Sequence, residues 1–389
     1  MIWRHLAANT ITFLIVGLFL LAGVVLVGAD RYRAEGPLDA PICLRVEPGS
    51  SMRGVAEDLA AEGAIGSTAI FNIGADYTGK SGQLKAGSFL VPAGASMEEI
   101  VDIVTRGGAN TCGTEVVYRV GVTRTSVVVR ELDPATSQFV ERANFNPAEE
   151  DAPEVYAAVK ARPDTRYRIV IAEGVTSWQV AQALNSFDVL EGTLDEVPPE
   201  GSLAPDSYEV APGTPVEELV ARMTAAQEAI LAEAWENRAP GLPLESPEEA
   251  LVLASLIEKE TGVAEERRQI ASVFINRLNR GMRLQTDPAV IYGITRGQGV
   301  LGRGLRQSEL ERETPWNTYV IDGLPPTPIA NPGRASIEAA LNPDTTDYIF
   351  FVADGTGGHA FAETLEEHNR NVAAWRRIEA ERQESANSD

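Results

Sequence analysis

The chain has 389 residues, 44% of them hydrophobic, which is enough apolar material for two or three folded domains. Its 33 Lys and Arg residues against 56 Asp and Glu residues leave a formal net charge of −23. This acidity argues against nucleic acid and against electrostatic attachment to anionic lipid, because both need a basic surface. Two cysteines and three histidines argue against a disulfide scaffold, a multi-cysteine zinc module and a histidine-rich metal site.

The N-terminus carries an uncharged stretch of 24 residues from Leu6 to Ala29. As a helix it is long enough to cross about 30 Å of hydrocarbon. We predict a cytoplasmic tail at 1–9, a retained transmembrane helix at 10–29 and a linker at 30–42. The alternative is a secretory signal cleaved after Val27-Gly28-Ala29, but the apolar run exceeds an h-region of about 7–15 residues. Flanking charges do not decide the orientation; the short tail and large acidic body favour an exported body.

The two cysteines, Cys43 and Cys112, lie beyond the predicted span. In an oxidising compartment they can form a disulfide closing a loop of about 70 residues, which stabilises by about 4 kcal/mol in the chain-entropy model. The other reading is a pair of buried free thiols. The sequence leaves both open.

An internal repeat organises the N-terminal half. The pattern GxSxxxVAxxL at 49–59 matches GxTxxxVAxxL at 174–184, and each copy follows a short β-type run. The Gly-x-Ser/Thr step is typical of a turn with a helix N-cap, and the Val/Ala/Leu spacing is helical, so each copy predicts a strand–turn–helix unit. We place two α/β modules at 43–112 and 166–245. The stretch 113–165 between them predicts an inserted hairpin or added sheet.

The segment 246–380 is the third predicted domain, and its first helix carries the strongest chemical signal. At about 100° per residue, Leu256, Ile257 and Glu260 share one face, whereas Glu258 points the opposite way. If the helix continues through the glycine that follows, the same apolar stripe extends into the next helix. Burial among apolar residues raises the pKa of a carboxyl group, which suits a general acid near neutral pH. The alternative is an ordinary exposed glutamate at a helix end, or one paired with a nearby arginine.

Polar and aromatic loops follow this helix, and their amide and aromatic groups suit sugar hydroxyls and pyranose faces. The candidates for orienting a sugar and stabilising positive charge are Gln285, Asp287, Tyr292, Asn317 and Tyr319. Turn chemistry explains the Asn-Pro and Pro-Pro steps of these loops equally well, and Asp287 is alternatively only a helix cap before Pro288. The segment 381–389 is polar and predicts a disordered tail.

Five motifs together resemble one family. They are LASLIEKET at 253–261, VFINRL at 273–278, MRLQTDP at 282–288, NTY at 317–319 and FVADG at 351–355. This set is similar to the endolytic murein transglycosylase (MltG, YceG-like) family, and the resemblance covers about residues 40–380. It is strongest from 250 to 370.

The resemblance implies an α+β protein with an N-terminal transmembrane helix and LysM-like units, which resemble the family's peptidoglycan-binding region only loosely. It also implies a C-terminal lysozyme- or lytic-transglycosylase-like domain. The implied location is the cell inner membrane, with a single span and a periplasmic body that cleaves nascent peptidoglycan. The implied partners are glycan strands and peptidoglycan synthases, the penicillin-binding proteins. Within the family motif the catalytic residue falls on the second acid, Glu260, in agreement with its helical face. The chemistry requires neither a metal nor a cofactor.

The chain departs from the family pattern in two places. Ala204 stands in EGSLAPDSY at 200–208 where family members usually carry an aromatic residue, and the β-rich stretch 113–165 resembles an insertion. Two rival hypotheses remain from other classes. One is a conventional muramidase-type hydrolase that pairs Glu260 with a second carboxylate such as Asp287. The other is a non-catalytic peptidoglycan-binding scaffold.

Overall fold

The structure is a computed structural model that describes residues 2–106, 112–162 and 165–386, with side chains described between 15 and 382 in those ranges. Helices and strands are mixed throughout, so the predicted α+β class is confirmed. The chain divides into two compact units. The first comprises Met1–Val116, Val128–Phe145 and Ala152–Arg166, and the second comprises Val117–Val127, Asn146–Asp151 and Tyr167–Asp389.

The first helix, α1 (Ile2–Arg33), runs without a break through the uncharged stretch. Its segment Ile15–Arg33 is long and apolar enough to cross a membrane, and only 6% of that window is buried inside the protein. The helix is longer than the predicted span of 10–29 at both ends. The sequence offers no helix-breaking step until Gly36-Pro37, so the last turn extends into the predicted linker.

The first module is built on an antiparallel pair, β1 (Ile42–Val46) and β2 (Gly87–Val91), in which Ile42 lies opposite Val91. Three helices complete it: α2 (Met52–Ala61), α3 (Thr68–Tyr77) and α4 (Met97–Thr105). Their apolar faces form one buried core. Cys43 and Cys112 form a disulfide with Cα atoms 5.7 Å apart, so the free-thiol reading is wrong.

The predicted repeat has a structural basis in its two turns. Gly49 and Gly174 have φ values of 86° and 76°, a left-handed conformation that favours glycine. Ser51 then caps α2 by accepting a hydrogen bond from the backbone N–H of Gly54. Thr176 caps the matching helix through a capping box with Gln179. Both copies of the repeat are therefore confirmed as strand–turn–helix units.

The β-rich stretch contributes to a sheet rather than to a separate hairpin. Five strands lie in the order β5-β4-β3-β6-β8. They are β3 (Thr114–Val120), β4 (Thr125–Asp133), β5 (Gln138–Phe145), β6 (Arg166–Ile171) and β8 (Ser207–Val210). The helix α5 (Glu154–Lys160) connects β5 to β6. The last two strands, β6 and β8, come from the predicted second module, so the added-sheet alternative describes the stretch better than the hairpin does.

The second unit carries the remaining elements in chain order. They are α6 (Ser177–Ser186), β7 (Leu190–Glu191), β9 (Thr214–Pro215), α7 (Val216–Glu236), α8 (Pro247–Glu260), α9 (Arg267–Asn279), α10 (Asp287–Thr295), α11 (Gln307–Leu310), α12 (Arg334–Leu341), β10 (Phe350–Ala353), β11 (His359–Ala362) and α13 (Leu365–Ala386). The core of this unit joins α8, α9 and α12, and residues of α7 pack into it. The helical core therefore begins before residue 246, where the sequence placed the boundary.

Two helix ends differ from the sequence predictions. The helix α8 ends at Glu260 and a short 3₁₀ turn (Ala264–Glu266) separates it from α9, so the apolar stripe does not continue as one helix. Gly262 explains the break, because glycine loses more entropy in a helix than any other residue. At the C-terminus α13 continues to Ala386, so most of the predicted disordered tail is helical, and residues 387–389 lie outside the described part.

Candidate active site

Glu260 is the last residue of α8. Ser246 caps the start of this helix through a 3.3 Å hydrogen bond from the backbone N–H of Glu249. Leu256 and Ile257, which share the face of Glu260, are completely buried. Glu260 itself is partly buried as a residue, and it lies at the end of the helix where the completely buried stretch stops. The helical periodicity therefore placed this side chain correctly.

The pKa of the Glu260 carboxyl group is raised to about 7, chiefly by burial, and the nearby charge of Asp287 contributes to the increase. Three neighbours oppose the increase: the Thr286 side chain, His359 and Arg277 each favour the charged carboxylate. Near neutral pH this group exists both protonated and ionised. It can therefore give a proton at the start of a reaction and take one at the end.

Asp287 and Tyr319 form a polar pair that interacts electrostatically with Glu260. The Tyr319 hydroxyl donates a 2.7 Å hydrogen bond to Oδ1 of Asp287. Burial raises the pKa of Tyr319, and the charges of Asp287 and Glu260 raise it further. Asp287 is exposed and begins α10, so it is both a first-turn acid of that helix and a partner of Tyr319. Its negative charge faces the same site as the carboxyl group of Glu260.

A clamp between two loops holds this pair in place. The backbone N–H of Gln285 donates to the carbonyl of Thr318 at 3.1 Å, and the backbone N–H of Thr286 donates to the Thr318 hydroxyl at 2.9 Å. Gln285 has a φ of 51°, a conformation that is unfavourable for a residue with a side chain. Its side chain is exposed, two residues before Asp287 in the same loop. The loops that carry Asp287 and Tyr319 are thus fixed to each other.

Arg277 supports the site from inside, and the sequence analysis gave this residue no role. It is 7% exposed, and its Nε donates to the Ile349 carbonyl at 2.7 Å. Its Nη1 donates to the Leu284 carbonyl at 2.8 Å, just before the clamp. Burial lowers the pKa of Arg277, while the charge of Glu260 raises it. The available signal was an arginine close after the apolar run Val273-Phe274-Ile275 of α9.

His359 is the second residue that the sequence analysis missed. Its Nδ1 lies 2.7 Å from Oε2 of Glu266, and its backbone N–H donates to Oε1 of the same carboxylate at 2.8 Å. Gly358 precedes it, and a Cβ atom there would collide with Glu266. The imidazole also packs edge-on against Phe351. Glu266 therefore fixes the orientation of the His359 imidazole, whose electrostatic interaction lowers the pKa of Glu260.

Two residues predicted to bind substrate, Asn317 and Tyr292, bond to other groups of the protein instead. Asn317 is completely buried, and its Nδ2 donates to three backbone carbonyls between residues 309 and 312 while its Oδ1 accepts from the N–H of Tyr319. Every polar atom of this amide is used inside the protein, so Asn317 positions Tyr319 instead of meeting a sugar. Tyr292 bonds to Glu200, whose pKa is raised by burial, and packs against Trp316.

In the described residues, no group of three or more His, Cys, Asp or Glu side chains has an arrangement suited to holding a metal ion. The site thus consists of one carboxyl group of raised pKa, an Asp–Tyr pair, a buried arginine and an oriented imidazole. These groups define a carboxylate acid–base site on an α+β scaffold.

The YceG-like family model matches residues 145–374, and this chain belongs to that family. An endolytic murein transglycosylase of Bacillus subtilis is 31% identical over 84% of this chain and 82% of its own length. A protein of the same name from Streptococcus pneumoniae (strain D39) is 29% identical over 95% of this chain, which spans 65% of that relative. The crystal structure of a yceG-like protein from Listeria monocytogenes is 25% identical, with a TM-score of 0.47, and covers 85% of this chain and 98% of its own.

Proposed function

We propose that this protein is a peptidoglycan lytic transglycosylase that cleaves the β-1,4 bond between N-acetylmuramic acid and N-acetylglucosamine within glycan strands. The observation that carries the proposal is the single carboxyl group of Glu260, whose pKa of about 7 suits both halves of an acid–base cycle. The relatives named endolytic murein transglycosylase supply the substrate and the reaction class.

The proposed reaction uses Glu260 twice. The protonated carboxyl group first gives its proton to the glycosidic oxygen, and the bond from that oxygen to C1 of the muramyl sugar breaks. The C6 hydroxyl of the same sugar then bonds to C1, and its proton passes to the Glu260 carboxylate. A 1,6-anhydro ring forms, no water is consumed, and the enzyme returns to its starting state. Ordinary glycosidases use a second carboxylate, either as the base that activates water or as the nucleophile that attacks C1, and this cycle requires neither.

Asp287 and Tyr319 are the proposed partners of the positive charge at C1. The negative charge of Asp287 faces the same site, and the Tyr319 hydroxyl orients that carboxylate through its 2.7 Å hydrogen bond. Gln285 lies exposed beside them and is the proposed contact to sugar hydroxyls. The proposed role of His359 is to tune the pKa of Glu260. These assignments rest on the position of each side chain relative to the acid.

The proposed location is the cell inner membrane, with α1 as a single span and the body in the periplasm. The apolar exposed segment Ile15–Arg33 and the disulfide between Cys43 and Cys112 support this location, since disulfides persist in oxidising compartments. The first module, with its β–α–α–β order, is the proposed LysM-like glycan-binding part, and the helical core of the second unit is the proposed lysozyme-like domain. Tethering would keep the acid close to newly made strands, where cleavage terminates elongation beside the synthases.

Mass spectrometry of muropeptides after digestion of purified glycan strands tests the reaction. We expect 1,6-anhydromuramyl ends, with product masses that add up to the mass of the substrate because no water enters. Reducing muramyl ends, each heavier by one water, would show a conventional hydrolase instead. Binding of strands without any cleavage would show a scaffold.

A further inference from the structure

The helix α3 presents two large apolar side chains to solvent. Tyr77 is 90% exposed and Ile73 is 68% exposed, whereas Phe71 and Ala75 on the other side of the helix are completely buried. Residues four apart lie on one helix face, so Ile73 and Tyr77 form a continuous patch. We call these two side chains the α3 patch. A small module has no structural reason of its own to expose an aliphatic and an aromatic residue side by side.

The α3 patch lies beside the end of the membrane helix. Tyr32, in the last turn of α1, is only 6% exposed although the apolar side chains earlier in that helix are exposed. Its ring packs onto Gly74, where a Cβ atom would overlap the tyrosine. Gly74 stands between Ile73 and Tyr77 in sequence, so the α3 patch flanks the contact with α1. Tyr32 follows the uncharged stretch, which ends at Ala29, by three residues, or about 4.5 Å of helix.

The chain after α1 keeps this arrangement in place. The backbone N–H of Gly36 donates to the Gly94 carbonyl at 3.0 Å, and the N–H of Gly94 donates to the Leu38 carbonyl at 2.8 Å. Leu38 itself is buried in the module. The segment that the sequence predicts as a linker is therefore fastened to the first module. The helix α3 is therefore held at the depth where α1 leaves the hydrocarbon core of the bilayer.

We propose that Ile73 and Tyr77 rest in the headgroup layer of the bilayer, so that the first module contacts lipid through α3 as well as through its helical anchor. The proposal relies on the membrane anchoring proposed above. A tyrosine with an apolar neighbour is the side-chain type that proteins place at this depth. The net charge of −23 gives no electrostatic attraction to anionic lipid, so the contact is apolar and aromatic.

Fluorescence quenching in proteoliposomes of zwitterionic phosphatidylcholine tests this contact in the full-length protein. Single variants Ile73→Cys and Tyr77→Cys carry an environment-sensitive nitrobenzoxadiazole label, which the native cysteines do not take because they form the disulfide. Glu57→Cys, on the exposed face of α2, is the matched control, and Leu20→Cys in α1 reports the span. We expect shallow spin-labelled lipid to quench positions 73 and 77 several-fold more strongly than position 57.

The outcomes separate this inference from the anchoring. Quenching of position 20 by deep spin labels, together with water-like emission and no quenching at positions 73 and 77, would overturn the lipid contact and leave the anchor intact. Emission that shifts at 73 and 77 without any lipid quenching would also overturn it, because it would indicate a protein partner on the α3 patch. Absence of quenching at position 20 would overturn both proposals.

Discussion

Glu260 combines two properties: it follows completely buried side chains on its helix face, as a surface glutamate does not, and as a residue it is only partly buried. Burial favours the neutral form, whereas Arg277 and His359 favour the charged form. These opposing influences leave the pKa near 7 instead of far above it. The balance allows one group to serve as acid and then as base.

The raised pKa predicts how activity and stability depend on pH. We expect kcat/KM to fall as the pH rises above about 7, because the proton needed for the first step is then lost.

The stability of the folded protein should also depend on the protonation of Glu260. Folded Glu260 holds its proton to higher pH than the unfolded chain does, so the wild type loses stability as the pH rises from 4.5 to about 7. Glu260→Gln removes this loss and should stabilise the protein by up to about 3 kcal/mol at pH 8. Chemical denaturation of the wild type and of Glu260→Gln at pH 4 and pH 8 measures this difference in the free energy of unfolding. An equal difference between the two proteins at both pH values would contradict the raised pKa.

His359 should tune Glu260 without itself contacting the scissile bond. Its interaction lowers the pKa of Glu260, so His359→Gln should move the alkaline limb of the kcat/KM profile to higher pH. His368→Gln is the matched control, because His368 stacks on Phe350 and does not act on Glu260. Profiles measured from pH 5 to pH 9 decide the point. An alkaline limb that does not shift in His359→Gln, or that shifts equally in both variants, would show that His359 does not tune the pKa of Glu260.

At the scale of elements, the loop clamp and the amide of Asn317 explain how short loops can hold the Asp287 carboxylate against the Tyr319 hydroxyl. The clamp joins Gln285 and Thr286 to Thr318, and Asn317 ties Tyr319 to the loop at 309–312. The backbone N–H groups of Gln285 and Thr286 and the amide of Asn317 are all paired within the protein, which lets these loops keep one conformation without extensive apolar packing.

Asn317 and Gln285 should therefore behave as opposites when each is replaced by alanine. Asn317→Ala removes the donor to the carbonyls of Glu309, Leu310 and Arg312 and should lower the free energy of unfolding by about 1–3 kcal/mol, with a fall in kcat as Tyr319 loses its support. Gln285→Ala removes an exposed side chain and should leave stability unchanged while raising KM. Thermal unfolding and steady-state kinetics on both variants measure this. Unchanged stability in Asn317→Ala would restore it as a substrate contact.

The sequence predicted those elements whose signal is local. Ser51 and Thr176 each cap a helix where the turn residues indicated, and helical periodicity placed Glu260 on the buried face. It could not assign Asn317, because an asparagine in a loop gives the same pattern whether its amide faces a sugar or closes a turn. It also missed His359, whose partner Glu266 lies 93 residues away in the chain. Such pairings follow from tertiary packing, which no local pattern records.

At the scale of the whole molecule, the net charge of −23 and the proposed anionic substrate mean that bulk electrostatics cannot drive binding. Hydrogen bonds and stacking must supply the affinity, and the proposed membrane span of α1 would supply the proximity. The sequence predicted the apolar helix α1, but it assigned the residues after it to a linker. Packing of Tyr32 on Gly74 and the backbone bonds of Gly36 and Gly94 fasten them to the first module.

The most direct test of the central claim compares two glutamates on one helix. Glu258 lies on the other side of α8, where its Oε2 accepts a hydrogen bond from the Gly333 N–H at 3.0 Å, and glutamine can still accept there. We expect Glu260→Gln to reduce the release of anhydromuropeptides by roughly 100-fold or more, while Glu258→Gln stays close to the wild type. Anhydromuropeptide release by Glu260→Gln at the wild-type rate would contradict the assignment of Glu260 as the acid and base.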